Sequence, residues 1–94
     1  MRTIVIYDIS DDGKRTKLSD YLKGYGLRRI QYSGFYGLLN GHDRHVLVLE
    51  AGRYISSPRD SIYVIPLCDR CSRLVRIVTD RVRGLEEAGA VDYV

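Results

Sequence analysis

The hydrophobic pattern opens on a run that is apolar on both of its alternating sides. Over Thr3–Ile9, Ile4 and Ile6 fall on one side and Val5, Tyr7 and Ile9 on the other. A strand apolar on both sides predicts a place in the interior of a sheet. Asp8 ends the run on the Ile4/Ile6 side. Ser10, Asp11 and Asp12 then offer side chains able to cap a helix. Leu18, Tyr21, Leu22 and Tyr25 follow at helical spacing and make one apolar stripe. Gly24 and Gly26 end that helix.

Leu27–Ser33 and Phe35–Asn40 read as two strands with a narrow junction at Ser33–Gly34. Leu27, Arg29, Gln31 and Ser33 share one side of the first, and Arg28, Ile30 and Tyr32 the other. Gly41–Asp43 reads as a turn. Val46–Leu49 suits either a buried strand or part of a helix, and Leu47, Ala51, Tyr54 and Ile55 fit a helix from about Asp43 to Ile55. Ser56-Ser57-Pro58 stops it. Asp60–Leu67 is a further strand, with Pro66 marking its end. Leu74–Thr79 is another β-branched run, and Gly84–Val94 reads as a mobile tail or a docking strand, a terminal segment of residues 79–94 set apart from the core.

The resulting order is βαββαβ with an additional C-terminal strand. It predicts an α+β, ferredoxin-like domain: an antiparallel sheet of four strands with both helices on one face. The extra strand must pair at an edge, in its own chain or in another. The chain has 94 residues, which predicts a single domain over 1–94. A domain this small gains from a partner subunit. No apolar stretch approaches the ~20 residues of a membrane span, and the Met1-Arg2-Thr3 start lacks the pattern of a secretory signal, so the expected address is the cytoplasm.

The basic set is lopsided, with twelve arginines and three lysines in a net charge of +3. The arginine fork matches phosphate geometry, which favours nucleic acid without establishing it. Eight tyrosines stand against one phenylalanine and no tryptophan. Tyrosine can pack, stack on bases or donate a hydrogen bond.

Asp8 is the sharpest single feature. An acid at the end of a buried strand is costly unless compensated. It could cap a helix or meet an arginine. It could equally hold a hard divalent cation, which takes oxygen donors. One carboxylate holds a hydrolytic metal poorly, and a two-fold axis beside Asp8 would supply the second. Arg15 borders the apolar stripe of the first helix and aims at the end of the first strand. Arg29 sits mid-sheet by this reading. Each arginine either pairs with an acid or clamps a phosphate. Cys68-Asp69-Arg70-Cys71 and His42-Asp43-Arg44-His45 together make a Cys2His2 inventory, but the His spacing is short and the segments lie far apart, so zinc is disfavoured. A redox dithiol is disfavoured too, because the pair follows a strand instead of opening a helix. The expected arrangement is a turn with one buried and one exposed thiol. Phosphate-loop, dinucleotide and nucleophile-elbow motifs are missing.

Tyr7-Asp8-Ile9-Ser10, the helix with Arg15, Gly26–Ser33 leading to Phe35, and Tyr63–Cys68 together resemble a known family, the small CRISPR-associated adaptation endonucleases ("Cas-two"). The resemblance covers about residues 2–79. It implies a ferredoxin-like homodimer whose C-terminal strand crosses to the partner's sheet. It also implies a metal-dependent phosphodiesterase acting on RNA or double-stranded DNA. Asp8 of both subunits would meet around Mg²⁺ or Mn²⁺; Arg15, Arg29 and Phe35 would complete the catalytic set, and Tyr7, Arg28 and Ser33 would bind substrate. Gly34 departs from the family's usual valine. Members of this family also serve as a scaffold for the integrase "Cas-one", so a non-catalytic DNA-binding subunit of the integration complex is the alternative function. A plain ferredoxin-like interaction module is a third.

Overall fold

The computed structural model describes residues 1–78 and 92–93. The first strand, β1, spans Arg2–Asp8 and lies inside a four-stranded antiparallel sheet. It pairs with β3 (Gly34–Leu38) on one side and β4 (Ser61–Leu67) on the other, while β2 (Arg28–Gln31) flanks β3. The order is therefore β2-β3-β1-β4, the ferredoxin-like arrangement that the hydrophobic periods predict. Pro66 sits in β4, at an edge of the sheet, where a missing N–H breaks no ladder.

Helix α1 spans Asp12–Gly24. Asp11 caps it by accepting the Lys14 amide at 2.8 Å. Gly26 follows with φ of 82°, a left-handed turn that a side chain would strain. Helix α2 spans Gly41–Ala51, capped by Asn40, and a 3₁₀ turn over Gly52–Tyr54 extends it. Gly41–Asp43 is thus the first turn of a helix rather than a loop, because the Asn40 side chain satisfies the Asp43 amide. The apolar stripe ends at Tyr54; Ile55 has left the helix and is 38% exposed.

Alternation along β1 divides the sheet into two unlike faces. Thr3, Val5 and Tyr7 point to the helices and are buried. Val5, Tyr7 and Phe35 pack with Leu18 and Leu22 of α1 and with Leu47 and Ala51 of α2. Each large aliphatic side chain buried there contributes about 1.5–3 kcal/mol. Tyr21 donates to Glu50 at 2.6 Å, and the Arg53 guanidinium lies 4.9 Å from the Tyr21 ring, which ties α1 to the end of α2. The opposite face is covered only in part: Tyr36, paired with Ile4, is 2% exposed. On it Ile6, Leu38, Tyr63 and Ile65 are 39%, 60%, 61% and 39% exposed.

A short helix, α3 (Asp69–Leu74), follows β4 directly and was not foreseen. Cys68 is its N-cap, so the cysteine pair does open a helix. Both thiols are exposed, which corrects the expected buried and exposed pair. Of the β-branched run, only Arg76–Ile77 is a strand, β5; it pairs in parallel with β6 (Asp92–Tyr93) in a separate two-stranded sheet. The rest of the expected tail, 79–91 and 94, lies outside the described residues.

Asp60 fastens the loop after β1. Its carboxylate accepts the Ser10 amide at 2.9 Å, the Ser10 hydroxyl at 2.8 Å and the Ser56 amide at 2.9 Å. The backbone bonds from Ser56 and Ser10 hold its pKa down, at about 2. A carboxyl depressed in the folded state stabilises above its ordinary pKa and loses that contribution as pH falls. Asp60→Asn is expected to lower the melting temperature at pH 7, and the gap from the parent protein is expected to close as pH falls from about 4 to 2. A pH-independent gap in thermal unfolding would contradict this account.

Candidate functional site

Functional side chains gather where β1 ends, α1 begins and the β2–β3 turn closes. The Tyr7 amide donates to the Ser33 carbonyl at 3.0 Å, which brings that turn beside the end of β1. Arg15, one turn into α1, donates to the Ile9 carbonyl at 2.9 Å and pairs with Asp12. Its guanidinium also lies 5.7 Å from the Tyr32 ring. Arg29 donates to the Tyr32 carbonyl and to Ser19 Oγ, each at 2.5 Å, and lies 5.1 Å from the Phe35 ring. Two arginines are therefore held at one end of the sheet, and neither is neutralised by Asp8. Arg29 lies on an edge strand, not mid-sheet, so its outer side is open.

Asp8 occupies the same end but the other face. It is exposed and stands opposite Ser61 of β4, and its carboxylate has no hydrogen bond or ion pair among the described residues. Period-two alternation places it with Ile4 and Ile6, facing away from the helices. Arg28, opposite Tyr36, shares that face. The predicted residues are thus divided. Asp8 and Arg28 lie on the open side, and Tyr7, Arg15, Arg29 and Phe35 on the helix side.

Phe35 is fully buried and Tyr7 is 3% exposed, so neither surface is available to a nucleotide. The expected substrate contact of Tyr7 and the expected catalytic place of Phe35 give way to packing: the rings stack at 6.3 Å, and Phe35 supports Arg29 from beneath. Ser33 is half-buried, and its backbone joins the strands. Gly34 is close-packed, since a Cβ there would meet Gln31 Cγ at 2.8 Å. The junction itself lies one residue earlier than expected, at Tyr32–Ser33, after an irregularity between Arg29 and Gln31.

Two residues at this end escaped the sequence reading. Ser19 lies one helical turn after Arg15 and is buried where Arg29 reaches it. Tyr32 is 70% exposed between two arginines, and the turn removes it from the strand alternation that had set it on the far side.

Among the described residues no three His, Cys, Asp or Glu side chains cluster for a metal, so the His42/His45 and Cys68/Cys71 pairs do not converge on zinc. Among the described residues, Asp8 therefore belongs to no ligand cluster within one chain. A groove of about 350 Å³ beside α2 and β4, lined by Val48, Ala51, Gly52, Ile55, Ile62 and Val64, has no ionisable group. No helix among the described residues is long and apolar enough to cross a membrane.

This geometry belongs to a small ferredoxin-like protein with an acid and an arginine pair at one end of its sheet. The sequence profile described as "CRISPR associated protein Cas2" matches residues 1–75. "CRISPR-associated endoribonuclease Cas2 1" of Archaeoglobus fulgidus is 43% identical over 94 residues, covering 100% of both chains. The similarly named protein of Desulforudis audaxviator is 35% identical over 99% of this chain and 90% of its own. A crystal structure of a hypothetical protein from Thermus thermophilus superposes with a TM-score of 0.64 at 34% identity, covering 71% of this chain and 80% of that one. The chain belongs to the Cas2 family of CRISPR-associated proteins.

The buried Tyr7 hydroxyl has no hydrogen bond of proper geometry. Burial raises its pKa, against the opposing pull of the nearby Arg29 charge. An unsatisfied buried hydroxyl is a net cost. Tyr7→Phe is expected to leave stability unchanged or raise it by up to about 1 kcal/mol in urea unfolding. A loss above about 1 kcal/mol would mean that the hydroxyl bonds Arg29 in solution.

Proposed function

We propose that this protein is a homodimeric, metal-dependent endonuclease of CRISPR adaptation, hydrolysing phosphodiester bonds at the boundary between its two subunits. The carrying observation is Asp8: a carboxylate with no partner among the described residues, at the rim of a sheet face that exposes apolar side chains. A second copy covering Ile6, Leu38, Tyr63 and Ile65 would bury that surface. A two-fold axis beside Asp8 would bring the two Asp8 side chains together. RNA is the first substrate to test, since the relatives are named endoribonucleases; double-stranded DNA is the second.

Two facing carboxylates fit a hard divalent cation, Mg²⁺ or Mn²⁺, and repel each other without one. When bound, such a cation makes water a better nucleophile and neutralises charge on the phosphate. Asp8 supplies the oxygen ligand. Arg15 and Arg29, held by Ile9, Asp12, Tyr32 and Ser19, oppose the negative charge of the phosphodiester. Arg28 extends the positive surface on the Asp8 side. The exposed Tyr32 ring offers a face for a base to stack on. Tyr7 and Phe35 act through Arg29, which they position. The integrase "Cas-one" and the cytoplasm complete the setting in which this activity would work.

Asp8→Asn keeps the shape and removes the charge. It is expected to slow Mg²⁺- or Mn²⁺-dependent cleavage of single-stranded RNA and duplex DNA by about 10²-fold or more, the several kcal/mol that a catalytic cation supplies. Equal cleavage by the variant would refute the assignment. Absence of cleavage by the parent protein, with DNA binding that weakens with salt, would instead favour the scaffold role. Ile65→Asp puts a charge in the proposed subunit boundary, and sedimentation is expected to find it monomeric where the parent protein is dimeric. A dimer that survives Ile65→Asp would place the boundary elsewhere.

A further inference from the structure

Cys68 and Cys71 lie at the opposite end of the sheet from Asp8. Register sets Asp8 against Ser61 and Arg2 against Leu67, so the residue after Leu67 is roughly 20 Å along the strands from that carboxylate at ~3.3 Å per residue. Nothing in the proposed cleavage chemistry uses this pair. Its arrangement is nonetheless specific. Cys68 caps α3, and its sulfur accepts the Cys71 amide at 3.4 Å. Cys71 stands three residues on, one helical turn away on the same face. Both thiols are exposed, and they are the two cysteines of the chain.

We propose that Cys68 and Cys71 form a redox-active dithiol, a site of reversible disulfide formation that exchanges with low-molecular-weight disulfides of the glutathione type. The roles within the pair follow from the geometry. The amide and then the thiol of Cys71 donate to the Cys68 sulfur and hold its pKa below that of an ordinary thiol. Cys71 is pushed the other way, first by its bond to Cys68 and then by the Cys68 charge. Cys68 is thus the attacking thiolate and Cys71 the resolving thiol.

The Cys68 thiolate attacks one sulfur of the small disulfide, forming a mixed disulfide and releasing one thiolate. Cys71 then gives its proton to solvent, attacks the Cys68 sulfur and releases the second small thiolate. Two protein thiols are oxidised and one external disulfide is reduced to two thiols. Proximity favours this ring closure over capture by another chain. The product staples the first turn of α3, the link between β4 and β5, and discharges Cys68.

The full-length protein, equilibrated with mixtures of reduced and oxidised glutathione and quenched in acid, tests this. As the mixture becomes more oxidising, both free thiols are expected to disappear together, with loss of the mass of two hydrogens from an otherwise unmodified chain. Cys71→Ser is expected to stop at a glutathione adduct on Cys68. In the reduced parent protein, Cys68 is expected to react with iodoacetamide about tenfold faster than Cys71 near neutral pH. Thiols that stay reduced throughout, parent protein that accumulates only the mixed disulfide, or bonds formed only between chains would each overturn the proposal. None of these readings depends on nuclease activity.

Discussion

One strand with two unlike sides governs this molecule. Along β1, Val5 and Tyr7 turn inward to the helices while Ile4, Ile6 and Asp8 turn out. Both helices of the βαββαβ core pack on the inward side, and on the outward side Ile6, Leu38, Tyr63 and Ile65 stay exposed while Tyr36 is buried. The consequence reaches Asp8. Among the described residues its carboxylate meets no arginine, because the two fixed near the end of β1, Arg15 and Arg29, belong to the layer on the other side of the sheet. An acid left unpaired at the rim of a sticky surface has its chemistry decided by whatever covers that surface.

The arginines show how a small core holds charge in place. Arg29 gives one nitrogen to Ser19 and another to the Tyr32 carbonyl, and spreads over Phe35. Neutral acceptors and an aromatic face orient a guanidinium without cancelling its charge. Arg15 is different. Its bond to Asp12 offsets part of its charge, and that pair is exposed, so solvent screens it. Arg29 accordingly keeps its charge less offset than Arg15 does. Phe35 matters at this site as a floor. A ring that is fully buried contributes by what it supports, which is why its sequence position beside the site residues misleads about contact.

Much of the architecture was legible because its signals are local. The two-sided apolar run fixed β1 in the sheet interior, and Asp11 with Lys14 and the Gly26 turn bound α1 at both ends. The side of Asp8 followed from alternation alone. What escaped depends on features that periodicity does not carry. Cysteine is outside the usual set of helix caps, and α3 holds a single large apolar residue, Leu74, so neither its start nor its face announces a helix. The irregularity after Arg29 shifts the register of β2, and Tyr32 swings out of the alternation that assigned it. The burial of Tyr7 and Phe35 came from the packing of both helices against their side of the sheet, which the motif positions of these residues do not report. For the site, the sequence grouped Asp8, Arg15 and Arg29, which the structure places at one end of the sheet but on two different faces.

The two ends of the sheet also differ in what limits their chemistry. At the Asp8 end the chain presents one exposed carboxylate, and the proposed cation site would need a second from a symmetry-related copy. At the Cys68 end the whole reacting group is local: one helical turn sets both sulfurs on one face, and the backbone amide that starts the helix stabilises the thiolate. A change in subunit association would therefore alter the first end and leave the second intact, whereas a change in α3 would act on the thiols without moving the register that places Asp8 against Ser61. The rigid ladder between β1 and β4 is what keeps the two separate.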